Sequence, residues 1–174
     1  MAIPTTFLPA LDAIQGVISG TLGAFFTSSV GQYTLGKSWE GQTVEQWSRA
    51  AQSSDNIIIS YGASQNQNRW QETYDQSIYD LDLKIIFQTN FSGTVLTDSD
   101  RKIAQALMFN KVSKLRTILS NPGNLRQDTS GNDTGMSSGM LSFVGWDLPK
   151  WKWEDGAYGE SSLNFTTIIT IRKT

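Results

Sequence analysis

The sequence contains no cysteine and no histidine. The absence of cysteine excludes disulfide bonds, a thiolate nucleophile, an iron–sulfur centre and cysteine-ligated zinc. The absence of histidine excludes a Ser-His-Asp triad and histidine-ligated zinc, and it leaves no side chain whose ordinary pKa lies near neutrality. Hydrolysis by paired carboxylates, or by a carboxylate-bound magnesium, remains chemically open. The two absences therefore exclude the enzymes that need a thiolate or an imidazole.

Charged residues are also few, at 17% of the 174 residues, against about 25% in an average globular protein. Gly, Ser, Thr, Asn and Gln take their place. The 14 basic and 16 acidic residues give a net charge of −2, unlike the basic surface of a general nucleic-acid-binding protein. Since no repeat or linker separates two cores, we predict a single α+β domain over residues 1–174.

The apolar N-terminal segment, residues 1–26, does not have the pattern of a signal peptide. No Lys or Arg precedes Lys37, so a positively charged start is missing. Pro4 and Asp12 interrupt the apolar run before it reaches the roughly 18 residues needed to cross a bilayer. We predict a helix after Pro9, no membrane association, and a protein that is cytosolic when made and stays soluble.

Hydrophobic periodicity predicts the remaining elements. Residues 78–89 alternate between apolar and polar side chains, which is typical of a strand with one buried face. Residues 98–120 place apolar side chains at helical spacing and end at Pro122. Further strands are predicted at 55–61, 140–148 and 162–172. The order predicts an antiparallel sheet of about four main strands packed against two helices.

Two long loops complete the predicted domain. Residues 27–54 lack a clear period, apart from a possible helical turn at 44–51. Residues 124–139 are rich in Gly, Ser, Asp and Asn, which favours a mobile connection.

Acidic residues occur in pairs, but no pair has a third acid nearby. Asp80 and Asp82 would share the solvated face of a strand, and Asp98 and Asp100 would lie at a helix N-terminus. The acids of 124–139 lack the spacing of a calcium-binding EF-hand. Phosphate-binding glycine motifs are absent from the sequence. We therefore expect no metal, no cofactor and no enzymatic activity.

The densest aromatic cluster contains Trp146, Trp151 and Trp153, with Tyr158 close by. A platform that stacks on sugars or on single-stranded nucleic acid would have this composition. Tryptophan is equally favoured in sheet cores and at subunit interfaces. Core or interface is the preferred interpretation, because no set of polar recognition residues accompanies the rings.

The arrangement of the chain resembles the tail terminator (tail completion) proteins of long-tailed bacteriophages. The resemblance rests on element order and residue texture, without a diagnostic motif. The residues on which it rests are the helix 98–120 ending in Leu119–Ser120–Asn121–Pro122, then Asn124–Leu125 and a loop, the strand Met140–Trp146, the segment Trp151–Trp153–Glu154, and the alternating last strand ending at Thr174.

The resemblance implies a structural virion protein of the phage tail or neck. Six copies would form a ring that caps the tail tube, stops its polymerisation and joins it to the head-side connector or head-closure protein. DNA would pass through the lumen without specific binding. We expect the contacts between subunits or between rings to involve Trp146, Trp151, Trp153, Asn132 and Met136.

Two alternatives remain open from the sequence. The chain could be another neck or tail protein, either a head-closure protein or a tail tube protein. It could also be a small carbohydrate-binding module that uses Trp146, Trp151 and Trp153.

Overall fold

The structure is a computed structural model, and it describes residues 2–26, 33–37, 55–65, 75–91, 97–152 and 157–174. Within them lie two helices and five strands. In chain order these are α1 (Leu8–Phe26), β1 (Tyr33–Lys37), β2 (Asp55–Gln65), β3 (Gln76–Phe91), α2 (Asp98–Leu119), β4 (Ser142–Lys152) and β5 (Ala157–Arg172).

The strands form one sheet in the order β1-β2-β3-β5-β4. The four long strands pair antiparallel throughout, so the predicted α+β class and antiparallel sheet are confirmed. β3 and β5 are the longest strands, with 16 residues each, and they pair with each other along their full length at the centre of the sheet.

The fifth strand, β1, corrects the predicted loop at 27–54. It pairs parallel to β2, with Leu35 opposite Ile57. Five residues are too few to establish a period, and their partner strand begins 18 residues further on, so local pattern could not identify them. The rest of 27–54, including the predicted turn at 44–51, lies outside the described residues.

Alternation along β3 decides which face of the sheet is buried. Leu81, Leu83 and Ile85 lie in the core, whereas Asp82 and Lys84 are exposed on the opposite face. Each fully buried Leu or Ile side chain contributes roughly 1.5–3 kcal/mol relative to an exposed one. Both helices bury their apolar residues in this same core cluster, and no described helix lies on the other face. That second surface is called the open face below.

The two helices cover the core with apolar residues at helical spacing. α1 contributes Leu11, Ile14 and Ile18, and α2 contributes Met108 and Leu115 among others. Within the described residues, neither helix is both long enough and apolar enough to cross a membrane.

A capping box begins α2. The backbone N–H of Asp100 donates to Thr97 Oγ1 at 3.2 Å, and the backbone N–H of Thr97 donates to Asp100 Oδ2 at 2.9 Å. These bonds satisfy N–H groups that a helix start otherwise leaves unpaired. The pKa of Asp100 is held low, mainly by the hydrogen bond from the Thr97 side chain. The capping box therefore explains why an acidic residue stands at this position.

β4 is an edge strand with two irregularities. Its pairing with β5 shifts register between Phe143 and Gly145, and again between Asp147 and Lys150. At the second shift the strand continues through Pro149, beyond the predicted end at residue 148. Pro has no N–H to donate, and an edge position tolerates that loss.

Candidate functional site

Trp146 lies on the helix-facing side of β4, opposite Leu163 of β5. Its Nε1–H donates to Ser161 Oγ, and the Ser161 hydroxyl donates in turn to the Asp147 carbonyl oxygen at 3.1 Å. The ring of Phe109, on α2, lies 5.3 Å from the indole at a tilt of 43°. The polar edge and part of the ring surface of Trp146 are therefore engaged within the chain.

Trp151 packs closely over the backbone of β5. A Cβ atom added at Gly159, its partner in the register, would lie 2.6 Å from Trp151 Cζ3 and 2.8 Å from Met108 Cε. Gly159 thus provides the space into which the indole fits, and Trp151 packs against the core as a half-buried residue. The third predicted ring, Trp153, lies outside the described residues.

These positions bear on the predicted aromatic platform. A sugar-stacking site needs a ring face open to solvent. Trp146 and Trp151 instead use their rings in contacts with Phe109, Gly159 and the core. Their predicted part in contacts between subunits stays a prediction.

Met136 is corrected as a candidate contact residue. Its side chain is only 2% exposed, and its backbone bridges to Ile169 at the edge of β5. A buried thioether cannot contact a neighbouring subunit. Thr134 beside it is also fully buried, and its hydroxyl donates to the Leu125 carbonyl at 2.6 Å. Residues 134–136 therefore pack against the hydrophobic core.

Asn132, the other predicted contact residue in this segment, is exposed at the tip of a turn. Its backbone N–H and its Nδ2 both donate to the carboxylate of Asp128, at 2.7 and 2.8 Å. The side-chain bond from Asn132 is the largest cause of the lowered pKa of Asp128. Asn132 stabilises the turn, and its role at an interface stays a prediction.

Residues 124–139 form a loop, as predicted, but the structure does not support the expected mobile connection. The backbone N–H of Leu125 donates to the Gly139 carbonyl at 2.8 Å, and that of Thr170 donates to the Gly135 carbonyl at 3.0 Å. Gly135 has a φ of 77°, and a Cβ there would collide with the Thr170 carbonyl oxygen. Composition favoured a free connection because it does not reveal these long-range bonds.

Charged side chains on the open face lie beside a shallow cleft of about 560 Å³ at the β4 end of the sheet. Asp147 accepts a hydrogen bond from Ser162 Oγ at 2.6 Å and forms an ion pair with Lys84 at 3.2 Å. The hydrogen bond from Ser162 is the larger cause of the lowered pKa of Asp147, and Lys84 adds to it. The carboxylate is therefore satisfied as an anion by its own strand neighbours.

The predicted acid pairs lie where the sequence placed them. Asp82 is on the open face and Asp98 is in the first turn of α2. Among the described parts of the chain, no three acidic side chains converge in a way that could hold a metal ion.

Sequence reasoning missed a set of large apolar side chains that are exposed. Ile103 and Leu107 belong to the apolar residues at helical spacing in α2, but they are 56% and 37% exposed. Val144 and Leu148 on β4 are 65% and 84% exposed, and Ile168 on β5 is 49% exposed. The sequence could have predicted the exposure of Ile168, because this residue lies on the polar side of the alternating last strand.

No protein-family model matches this chain, and no curated protein matches it.

Proposed function

We propose that this protein forms a ring that caps the tail tube of a long-tailed bacteriophage, stops its polymerisation and joins it to the head-side connector. The observation that supports an assembling protein best is the apolar edge of the sheet. Val144 and Leu148 both belong to the edge strand β4, and they are 65% and 84% exposed. Apolar side chains at an exposed edge are typical of a surface that another chain covers.

The resemblance gives this assembly its place in the virion. From α2 to β5 the order of elements agrees with the order on which the resemblance rests: a helix that ends before Asn121–Pro122, a loop, and two paired strands. The net charge of −2 suits a lumen through which DNA slides, because a basic lining would bind the phosphates.

The edge of β4 should contribute to assembly through side chains. Its two register shifts and Pro149 interrupt the row of backbone groups that a continuous sheet between subunits would need. We therefore expect Val144 and Leu148 to bury apolar surface against a neighbour without extending the sheet.

Native mass spectrometry of the purified protein, alone and with tail tube protein, tests the proposal. The expected result is a closed ring of six that binds tube ends and limits tube length in electron micrographs. The variant Leu148→Lys should weaken the ring. Leu8→Lys is the matched control, because Leu8 is 62% exposed but lies at the start of α1 and not on β4.

Three results would contradict the proposal. A strict monomer that binds no tubes would exclude a terminator. Polymerisation of the protein by itself into tubes would indicate a tail tube protein. Quenching of tryptophan fluorescence by oligosaccharides would favour the carbohydrate-binding alternative, which the packing of Trp146 and Trp151 makes less attractive.

A further inference from the structure

One side of α2 carries a stripe that the core does not use. Ile103, Leu107 and Lys114 follow one another at intervals of four and seven residues, so they lie along the same side of the helix. All three are exposed. The residues three and four positions from Lys114 are Asn110, Lys111, Thr117 and Ile118, none of them acidic. We call Ile103, Leu107 and Lys114 the α2 stripe.

The open face of the sheet carries a patch that also combines an exposed apolar side chain with a charge, but here the charge is negative. Ile168 is 49% exposed and lies opposite Asp80 in the register. Asp82, two residues along β3, is exposed, and its partners on the two neighbouring strands are Gly62 and Thr166. Neither partner is charged. We call Asp82 and Ile168 the open-face patch.

The two surfaces are complementary, yet they cannot meet within one molecule, because the helices lie on one face of the sheet and the patch on the other. Each surface offers an exposed apolar side chain and a charged one. No acidic residue lies one helical turn from Lys114, and the register partners of Asp82 are uncharged. We propose that the α2 stripe of one copy packs on the open-face patch of the next copy, with Lys114 facing Asp82. This contact rests on the proposed ring, for which it supplies a joint between subunits.

The proposed joint uses two different surfaces of each subunit. Such a head-to-tail contact repeats until the rotation closes it into a ring. The opposite charges favour the correct register and disfavour pairing of like faces, while the burial of Ile103, Leu107 and Ile168 supplies the larger part of the affinity.

Two charge reversals test the contact. Lys114→Glu would place two carboxylates face to face at the joint, and Asp82→Lys would place two ammonium groups there. Each variant alone should therefore shift the protein concentration at which the ring dissociates upward by about tenfold or more. An equimolar mixture should restore the ring, because the two variants can alternate around it and every joint then brings opposite charges together. With one of the two variants labelled with ¹⁵N to separate the chains by mass, native mass spectrometry should show three of each in a ring of six.

Alternation works because each variant keeps one native surface and changes the other. Where the reversed stripe of Lys114→Glu meets the reversed patch of Asp82→Lys, a carboxylate faces an ammonium group, and the remaining joints pair the native Lys114 with the native Asp82. Every joint of an even-numbered ring then carries opposite charges.

Lys102→Glu is the matched control. It makes the same charge change on the same helix, but about 120° around the axis from Lys114, and it should leave the ring intact. Circular dichroism and urea unfolding should show that all variants fold as the wild type does, because every substituted side chain is exposed.

The outcomes separate this contact from the proposed function. If the wild type forms rings that cap tubes and both single variants do the same, the contact is excluded and the terminator role stands. If both variants lose the ring but the mixture does not restore it, the direct pairing of Lys114 with Asp82 is excluded. A wild type that is monomeric and binds no tubes excludes both proposals.

Discussion

The carboxylate of Asp12, in α1, holds Thr129 in place 117 residues further along the chain. Asp12 Oδ2 accepts hydrogen bonds from the backbone N–H of Thr129 at 2.9 Å and from its hydroxyl at 2.6 Å. The same threonine points its methyl group at Gly16, one helical turn after Asp12. A segment that its composition marks as a free loop is thereby attached to the first helix.

Replacement of Asp12 by Ala should lower the free energy of unfolding by about 1 kcal/mol, since both bonds are lost but the site is partly exposed to water. Urea unfolding followed by circular dichroism measures the change. Thr129→Ser is the control, because serine keeps both the hydroxyl and the backbone N–H. Equal stability of Asp12→Ala and the wild type would show that the attachment contributes nothing.

Two glycines of α1 should respond oppositely to alanine. At Gly20 an added Cβ meets nothing within 4 Å, so Gly20→Ala should stabilise the protein by roughly 0.5–1 kcal/mol through the higher helix propensity of alanine. At Gly16 the Cβ would lie 2.6 Å from Thr129 Cγ2, so Gly16→Ala should be destabilising. Thr129→Ser removes that methyl group and should reverse the sign at Gly16. Thermal unfolding of the three variants checks this.

Gly159→Ala should destabilise the protein by about 1–3 kcal/mol, the usual cost of overfilling a packed site. The added Cβ would displace the Trp151 ring and Met108, so the emission maximum of tryptophan should shift as well. Gly62→Ala is the matched control on another strand of the same sheet, since a Cβ there meets nothing within 4 Å. An unchanged fluorescence spectrum for Gly159→Ala would contradict the described packing.

Asp147 should make stability depend on pH in the acid range. Its pKa in the folded protein is lowered, first by the Ser162 hydroxyl and then by Lys84. Because the pKa of Asp147 is lower in the folded protein than in the unfolded chain, the ionised carboxylate stabilises the folded state at any pH above the unfolded pKa, near 3.9. This stabilisation is lost as the pH falls through the pKa of the folded protein. Ser162→Ala should therefore raise the pKa of Asp147, as an NMR titration of the carboxyl carbon would measure. An unchanged pKa would leave Lys84 as the main cause.

The helices and long strands could be predicted because their cause is local. The alternation of β3 and the capping residues before α2 determine those elements within a few residues of sequence. β1 could not be predicted, because its five residues become a strand only by pairing with β2.

The exposure of the predicted contact residues could be predicted only in part, because it also depends on contacts between distant parts of the chain. Residue type indicated that Trp146 and Trp151 pack tightly, but whether Met136 is exposed depends on where the loop lies against β5. The exposed Ile103 and Leu107 belong to the apolar pattern of α2, yet they are not buried in the core. Periodicity gives the apolar side of a helix, and only packing decides how much of that side is buried.

The absence of cysteine and histidine, the low charge and the hydrophobic periods were determined by the sequence alone, and they give an α+β domain that has neither a thiol nor an imidazole. Tertiary structure alone decided that residues 124–139 are bound into the domain and that both described helices pack on the same face of the sheet. The physical reason is range: periodicity and capping act within a few residues, whereas the bonds from Asp12 to Thr129 and from Thr170 to Gly135 join distant parts of the chain.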